Sequence, residues 1–201
     1  MSTRAQIVMA QPEDMEALSE VIALSFHALA PSVWLIPDTD ERSRIFPGYF
    51  RLYVQDAIER GRAYTTTDRT AAALWIPVGE AGGPAQSDYD TRLAAATGPW
   101  IDRFRLFDAL LEKHHPTGLR HHHLAILAVD PDHQRRGIGA ALLAAHHGHL
   151  DESDPPTPAY LEASDATTRK LYLRYGYTDH GDPIQLPAGP QMFPMLRRLV
   201  Q

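Results

Sequence analysis

The chain has 201 residues, 44% of them hydrophobic and 22% charged, and a formal net charge of −6 with histidine counted as neutral. At roughly 150 residues per domain, these values predict one folded domain over residues 1–201 with a sizeable apolar core, and they exclude a disordered chain. The sequence has no cysteine, which excludes disulfides, thiolate metal sites, cysteine nucleophiles and iron–sulfur clusters.

The distribution of charge and apolar residues bears on location and partners. Lysine and arginine never form a block longer than two residues, which together with the negative charge argues against a nucleic-acid or anionic-membrane surface. Gln11 and Pro12 break the first apolar stretch before the apolar part of a signal peptide would be complete, and no apolar run reaches 18 residues. We therefore expect a cytoplasmic protein with no nucleic-acid or membrane partner. Whether it is a monomer or a homodimer stays open.

Helical and strand patterns alternate along the first two thirds of the chain, as judged by the spacing of apolar residues and by turn-forming residues. The predicted elements are, in order, a strand at 6–10, a helix from the acidic turn at 12–14, a loop at 30–40, a helix from residue 40 to Gly61, a hairpin of strands at 63–67 and 70–76, a glycine-rich loop at 78–90 and a helix at 92–115.

The last third has the most regular pattern. It predicts a strand at 124–129, a helix at 137–150, a strand at 159–163, a helix at 166–175 and a final strand at 192–199. Two successive strand–helix units require a parallel pair of strands, whereas the earlier hairpin supplies antiparallel ones. We therefore predict an α/β (α+β) fold with a mixed, mostly antiparallel central sheet flanked by helices.

A glycine-containing turn joins a predicted buried strand to the helix that follows it. Gly137 and Gly139 open that helix, directly after Arg135 and Arg136. The first amides of a helix have no internal partner and carry partial positive charge, so such a terminus binds phosphate oxygens, and glycine lets the anion approach the backbone. The alternative is a tight turn with solvated arginines. The turn is not a nucleotide P-loop, since no Gly-Lys-Ser/Thr follows, and Leu142 replaces the third glycine of a Rossmann fingerprint.

Two motifs in the last third resemble the GCN5-related N-acetyltransferases, the GNAT family. The run Gln134-Arg135-Arg136-Gly137-Ile138-Gly139 is similar to that family's acetyl-CoA signature Gln/Arg-x-x-Gly-x-Gly/Ala, and Tyr172-Leu173-Arg174-Tyr175-Gly176-Tyr177 is similar to its Tyr-x-x-x-Gly-Phe helix end. The resemblance implies a sheet with a splayed parallel pair of strands, and acetyl-CoA-dependent transfer of acetyl to a primary amine of a small molecule. Within the family, runs such as Leu161-Glu162-Ala163-Ser164 are most similar to puromycin N-acetyltransferase-like proteins, which suggests an antibiotic or other xenobiotic amine.

The resemblance also implies which residues hold acetyl-CoA. Backbone groups of Leu127, Ala128 and Val129 would bind the pantetheine arm as an added strand. The pyrophosphate would lie on the turn and the helix start, formed by Gln134, Arg135, Arg136, Gly137, Ile138, Gly139 and Ala140. Thr168 stands where the family often has an asparagine that contacts the cofactor, and a hydroxyl supplies only part of the hydrogen bonding of an amide.

Three residues are candidates for acid–base chemistry. Tyr172 stands where the family has a tyrosine acid, and a phenol is close enough to a thiol in pKa to protonate the departing CoA thiolate; packing is its alternative role. His123 precedes Val129 on the same strand, where several family members carry a histidine or glutamate base, and imidazole titrates near neutral pH. Glu162 lies within an apolar strand, so it either orients a water that deprotonates the amine or pairs with an arginine.

The run His121-His122-His123 leaves further interpretations open. His121 and His123 share one face of a strand and could chelate a metal with His114 or His115, but no spacing completes a three- or four-ligand zinc site, so no metal is predicted. We expect His121 and His122 to be solvated. The helical histidines are assigned to a surface face: His146, His147 and His149.

Aromatic residues are the candidates for the acceptor pocket. Phe26, Trp34 and Trp75 would supply apolar area and could hold an ammonium group, with a core position as the alternative for each. An alternative function also stays open at this point, a non-catalytic protein that binds CoA or a drug.

Overall fold

Eight strands and seven α-helices follow one another in a computed structural model that describes residues 5–81 and 88–198. The strands are β1 (Ile7–Met9), β2 (Arg62–Thr66), β3 (Ala71–Val78), β4 (His121–Val129), β5 (Ala159–Ala163), β6 (Thr178–Asp179), β7 (Ile184–Gln185) and β8 (Gln191–Arg197). The helices are α1 (Met15–Phe26), α2 (Ala30–Leu35), α3 (Thr39–Arg60), α4 (Tyr89–Thr97), α5 (Ile101–His114), α6 (Ile138–Asp151) and α7 (Ala166–Leu173).

The strands form one mixed sheet in the order β1-β2-β3-β4-β5-β8-β6, and β7 pairs with β8. Neighbouring strands are antiparallel except β4 and β5, which run parallel. The register of the parallel pair joins His122 to Ala159 and His123 to Tyr160. Beyond these pairs β4 continues through residues 124–129 while β5 stays paired with β8, so the two strands separate. The predicted α/β fold with a mostly antiparallel sheet and a splayed parallel pair is confirmed.

A β-bulge in β4 decides which face of the sheet each of its side chains occupies. Leu74 of β3 pairs with Ile126 and Trp75 pairs with Leu124, so Ala125 is the extra residue. His123, before the bulge, contacts His115 just after α5. Leu127 and Val129, after the bulge, pack on the opposite face with residues of α6. The bulge thus lets one strand present groups to both faces at the point where it leaves β5.

Apolar side chains fill both faces of the sheet. The helices α1 and α3 cover one face with fully buried residues such as Ile22 and Phe46. The helix α6 covers the other face, where Leu142 packs in one cluster with Leu161 of β5. Burial of a side chain of this size contributes about 1.5–3 kcal/mol. These two layers fix the sheet and so position the point where β4 and β5 separate.

Local sequence explains where the long helix α3 begins and ends. The Asp38 side chain accepts a hydrogen bond from the Glu41 N–H at 2.8 Å, which caps the first turn. Gly61 ends the helix against β3, where a Cβ would collide with the Trp75 carbonyl group. The predicted stop at Gly61 is confirmed, and it reflects close packing of two backbones.

The structure differs from the sequence-based expectation at three points. The helix α2 occupies the predicted loop at 30–40, with Pro31 in its first turn, where a missing N–H costs nothing. The predicted helix at 92–115 is two helices, because Gly98 at φ +54° and Pro99 interrupt it. The two-residue strands β6 and β7 were too short to be predicted. Residues 82–87 of the predicted loop lie outside the described residues.

Within residues 5–81 and 88–198, no helix combines the length and the apolar composition that crossing a bilayer requires.

Candidate active site

A cleft of about 660 Å³ lies at the end of β4, where this strand has parted from β5. Its walls come from β4, the start of α6, the inner face of α7 and the end of α1. Nine of the residues expected to hold acetyl-CoA line it: Leu127, Val129, Gln134, Arg135, Gly137, Ile138, Gly139, Ala140 and Thr168. The two sequence motifs, which are separated along the chain, therefore face one common space.

The start of α6 presents backbone N–H groups next to this cleft. The Ala141 N–H donates to the Gly137 carbonyl at 3.0 Å, so the N–H groups of Ile138, Gly139 and Ala140 precede the helical hydrogen-bond ladder. Their partial positive charge is that of a helix N-terminus. The arrangement suits phosphate oxygens.

The turn before α6 is held in an unusual backbone conformation. Arg135 has φ +62° and Gly137 has φ +80°, both in the left-handed region. Such a conformation costs a non-glycine residue about 1–3 kcal/mol. Where left-handed and right-handed residues alternate, successive backbone N–H groups point toward one side, and this arrangement favours anion binding. The Gln134 side chain stabilises the turn by donating from Nε2 to the Val129 carbonyl at 3.1 Å.

The two candidate bases, His123 and Glu162, are in direct contact. Nε2 of His123 lies 2.8 Å from Oε2 of Glu162, whose side chain is only 7% exposed. Because an ionised carboxylate only accepts hydrogen bonds, Nε2 carries the proton and Nδ1 of His123 keeps its lone pair. Burial alone would raise the pKa of Glu162, but the nearby imidazoles of His123 and His115 outweigh burial and lower this pKa below its ordinary range. The pair is built as a buried anion that orients an imidazole.

Tyr172 lies in the wall of the cleft, on the inner face of α7. Its side chain is 9% exposed and its ring packs edge-on against Tyr177, with centroids 5.6 Å apart. Burial, and secondarily the charge of Asp165, raises the pKa of Tyr172 well above the ordinary value. The phenol therefore stays protonated at neutral pH and is available as a donor.

Comparison with known proteins relates this geometry to a known fold. Residues 115–199 match the family model described as the acetyltransferase (GNAT) domain, a segment that includes β4, α6, β5 and α7. A solved structure described as histone acetyltransferase HPA2 and related acetyltransferase from Corynebacterium glutamicum has a TM-score of 0.71 and 23% identity, covering 99% of this chain and 98% of that one. The chain has the GNAT fold.

Two further solved structures share this GNAT fold at lower identity. Arylalkylamine N-acetyltransferase 2 from Aedes aegypti has a TM-score of 0.63 and 12% identity, covering 97% of this chain and 99% of that one. PaiA N-acetyltransferase from Thermoplasma acidophilum, solved in complex with coenzyme A, has a TM-score of 0.60 and 12% identity, covering 98% and 100%. The likeness therefore extends over the whole GNAT fold, including the elements N-terminal to the matched segment.

Not every residue expected at the cofactor loop of this GNAT fold points its side chain into the cleft. Arg136 donates from Nη2 to the Asp132 carbonyl at 2.7 Å and lines a separate depression beside Ala144 on the outside of α6. Ala128 is buried in the α1 and α3 layer, so only its backbone is available. Of the two arginines, Arg135 lines the cleft and Arg136 lines the separate depression.

Thr168 lines the cleft, but its hydroxyl group is already engaged. Its Oγ1 donates to the Asp165 carbonyl at 3.0 Å and accepts from the Asp165 N–H at 3.1 Å, while the Thr168 N–H donates to Asp165 Oδ1 at 2.8 Å. This is a capping box at the start of α7. The hydroxyl group thus stabilises the helix that carries Tyr172, in place of the contact expected from an asparagine.

The three aromatic candidates for the acceptor pocket have different positions. Phe26 lines the cleft. Trp34 is a core residue whose Nε1 donates to the Pro187 carbonyl at 2.9 Å. Trp75 is fully buried and stacks on His146 with ring centroids 4.1 Å apart. The expectation for both tryptophans is corrected, since each ring is taken up by packing within the core.

Several histidines expected at the surface are buried. His121 and His146 are fully buried and His147 is nearly so, while His122 is half-buried with Nδ1 2.9 Å from His146 Nε2. Burial lowers the pKa of His121, His122 and His147 to about 4 and that of His146 to about 2, so all four are neutral at pH 7. Only His149 lies on the exposed face of α6. The surface assignment fails because His146 and His147 of α6 pack against Trp75 of β3, and His146 also contacts His122 of β4. On the other face of the sheet, His121 packs against His115.

Sequence reasoning also missed residues that line the cleft. Ser25 and Leu29 extend the wall formed by Phe26, and Arg174 and Tyr175 extend the wall formed by Tyr172. Their proximity in sequence to predicted site residues was the available signal.

Proposed function

We propose that this GNAT-fold protein is an acetyl-CoA-dependent N-acetyltransferase that transfers acetyl directly to the primary amine of a small molecule. The observation that carries the proposal is that free backbone amides at the start of α6 and the protonated phenol of Tyr172 line one cleft at the separation of β4 and β5. His123 and Glu162 lie on those two strands, where the separation begins.

The residues at the cleft fit acetyl-CoA. A Cβ added to Gly139 would point toward Val129 Cγ2 at 3.8 Å and Leu127 Cδ2 at 4.0 Å, so glycine keeps open the space between the helix start and the strand. The edge of β4 that has left β5 offers backbone groups to a pantetheine arm. The α6 amides and Arg135 offer positive charge to phosphates. When bound, acetyl-CoA supplies an acetyl group activated as a thioester.

His123 serves as the base in this proposal. Because His123 lies outside the residues that line the cleft, its Nδ1 lone pair accepts the proton of the attacking amine through a water molecule, and the Nε2–H remains bonded to Glu162. The buried negative charge of Glu162 stabilises the imidazolium that forms, as a carboxylate does when it orients a catalytic imidazole. A positioned base of this kind contributes about 10²–10⁴-fold to a rate. The two candidates from the sequence thus have complementary roles.

Tyr172 serves as the acid. Its buried phenol is held in the protonated form, so it can donate a proton to the CoA thiolate as the thioester breaks. The chain has no cysteine that could carry an acetyl group, which favours direct transfer to the amine.

The acceptor enters from the α1 side of the cleft. Ser25, Phe26 and Leu29 form a wall with one aromatic ring and one hydroxyl group, which suits a small amine with an apolar or aromatic body. The resemblance to puromycin N-acetyltransferase-like proteins adds antibiotic and other xenobiotic amines to the candidates. The proposal includes a cytoplasmic enzyme, monomeric or dimeric, whose partner is this small molecule.

A panel of amines tests the proposal. Aminonucleosides, aminoglycosides, arylalkylamines and amino acids are incubated with acetyl-CoA and the protein, and the CoA thiol released is measured. We expect amine-dependent release for at least one class. Acetyl-CoA binding without release for any amine would instead support the non-catalytic binding protein.

A further inference from the structure

A histidine–glutamate cluster, formed by His115, His121, His123 and Glu162, lies outside the cleft lining. His115 directly follows α5, and the other three lie on β4 and β5. The ring of His115 is centred 4.9 Å from that of His121 and 5.0 Å from that of His123. Acetyl transfer as proposed above uses only His123 and Glu162, so the convergence of the other two imidazoles has no role in it.

Hydrogen bonds fix which nitrogen of each imidazole carries a proton. Nδ1 of His121 lies 2.8 Å from the Leu119 carbonyl, which only accepts, so Nδ1 carries the proton. Its Nε2 lies 2.9 Å from Nε2 of His115, so the two rings share one proton across this contact. When that proton is on a neutral His115, Nδ1 of His115 carries a lone pair.

The lone pair of His115 faces another acceptor. Nδ1 of His115 lies 3.9 Å from Oε1 of Glu162, and this oxygen is buried and has no hydrogen-bond partner among the described residues. The Glu162 side chain is more than nine-tenths buried. Two acceptors that face each other at this distance in a desolvated space repel, and a cation between them removes the repulsion.

We propose that His115, His123 and Glu162 bind one divalent transition-metal ion of the zinc class. One ligand atom from each residue lies within 4.8 Å of those of the other two. Tetrahedral zinc places its nitrogen and oxygen ligands at about 2.0–2.2 Å, hence about 3.3–3.6 Å from one another. The separations of 2.8 Å and 3.9 Å from Glu162 to His123 and His115 lie on either side of that range, so small side-chain rotations complete the site.

The donor set indicates which ions the site selects. Zinc is commonly bound by two imidazoles and one carboxylate with water in the fourth position, and neighbouring transition metals accept the same ligands. Calcium and magnesium prefer oxygen ligands alone. His121 acts in the outer shell, because its bond to Nε2 of His115 directs Nδ1 of His115 at the metal.

Metal binding has a consequence that rests on the proposed function. In the metal-free protein Nε2 of His123 donates to Glu162, so a metal on Nε2 must displace that proton and end the hydrogen bond that orients the base. Zinc is therefore an inhibitor of acetyl transfer, and the site couples the activity to the availability of the ion.

The test uses the full chain without an affinity tag, freed of metal with a chelator and titrated with zinc chloride alone in a calorimeter at pH 7.5. We expect one zinc per chain. His115→Ala should weaken zinc binding by at least about 100-fold. The matched controls His180→Ala, close to the cluster, and His149→Ala, on α6, should bind zinc as the wild type does.

Three outcomes would overturn the site: no zinc bound by the wild type, unchanged affinity in His115→Ala, or loss of zinc in His149→Ala alone, which would place the ion on α6. His115→Gln keeps a hydrogen-bonding partner for His121 and replaces His115→Ala if the latter fails to fold, with the same expected loss. Failure of the proposed function is seen separately, as a metal-free protein that acetylates no amine.

Discussion

The imidazole of His123 donates from Nε2 to Oε2 of Glu162 across 2.8 Å, joining β4 to β5 at the end of their parallel pairing. The contact depends on the register that sets His123 opposite Tyr160, two residues before Glu162. A base and the anion that orients it are thereby placed where the strands open.

The first prediction concerns this pair. His123→Ala should lower kcat/KM by about 10²–10⁴-fold and remove the acidic limb of the pH–rate profile. Glu162→Gln should have a smaller effect, because the amide can still accept the Nε2–H but lacks the charge that stabilises the imidazolium. The double variant should be no slower than His123→Ala, since the two residues act as one unit.

The profile must be measured with acceptors of different amine pKa, because ionisation of the amine itself produces a similar limb. If the pH of the acidic limb followed the pKa of the acceptor amine and the limb survived both substitutions, neither residue would be the base. The protein would then simply select the neutral amine.

The second prediction concerns the anion site at the start of α6. Gly139→Val should raise the Kd for acetyl-CoA at least about tenfold, equivalent to about 1.4 kcal/mol, because the side chain fills the space beside Val129 and Leu127. Gly148→Val on the same helix, where an added Cβ meets nothing within 4 Å, is the matched control. Calorimetry measures both. Equal affinities in the two variants would rule out this loop as the phosphate site.

The third prediction separates chemistry from packing at the end of α7. Tyr172→Phe keeps the ring but removes the proton donor, and should lower kcat by about 10²-fold or more while acetyl-CoA affinity stays nearly unchanged. Tyr175→Phe, another residue in the cleft wall, should have little effect. Steady-state kinetics over a range of pH decides the matter. Undiminished turnover of Tyr172→Phe at every pH would make this residue structural.

Much of the fold was accessible from sequence because it is encoded by local patterns. Apolar spacing placed α1, α3 and α6, and the strand-to-turn-to-glycine pattern placed the end of β4 beside the start of α6. The break between α4 and α5 was missed because Gly98 and Pro99 lie within an otherwise continuous apolar pattern.

The candidate site was less accessible because its contacts are not local. Nothing near His123 in sequence specifies that parallel pairing sets it against Glu162, or that the end of α5 brings His115 to the same oxygens. Likewise, the face on which Trp75 lies depends on packing against α6, and its ring is stacked on His146, far along the chain.

The fourth prediction concerns stability against acid. The pKa of His147 is lowered to about 4 in the folded chain from about 6.5 when unfolded, so the unfolded state binds more protons between these values. The stability that this residue contributes is complete above pH 6.5 and is lost as the pH falls toward 4. The effect is at most about 1.4 kcal/mol per pH unit for each such histidine.

His147→Gln removes one such group and can keep a hydrogen bond to the Tyr177 hydroxyl group, which lies 2.9 Å from His147 Nε2. Urea unfolding at pH 7.5 and pH 5.5 gives the free energy of unfolding at each pH. The number of protons taken up on unfolding should be smaller by about one in this variant. The control His149→Gln, at an exposed position of the same helix, should behave as the wild type. If the free energy of unfolding changed by the same amount between the two pH values in all three proteins, the lowered pKa of His147 would be refuted.

The most direct measurement of the central claim follows the acetyl group itself. The protein is mixed with acetyl-CoA labelled in the acetyl carbons and with the best acceptor, and the products are analysed by mass spectrometry. The wild type should place the label on the amine, one per CoA released, and His123→Ala should do so far more slowly with acetyl-CoA binding intact. Label that reaches no amine while acetyl-CoA is bound normally would contradict an N-acetyltransferase function.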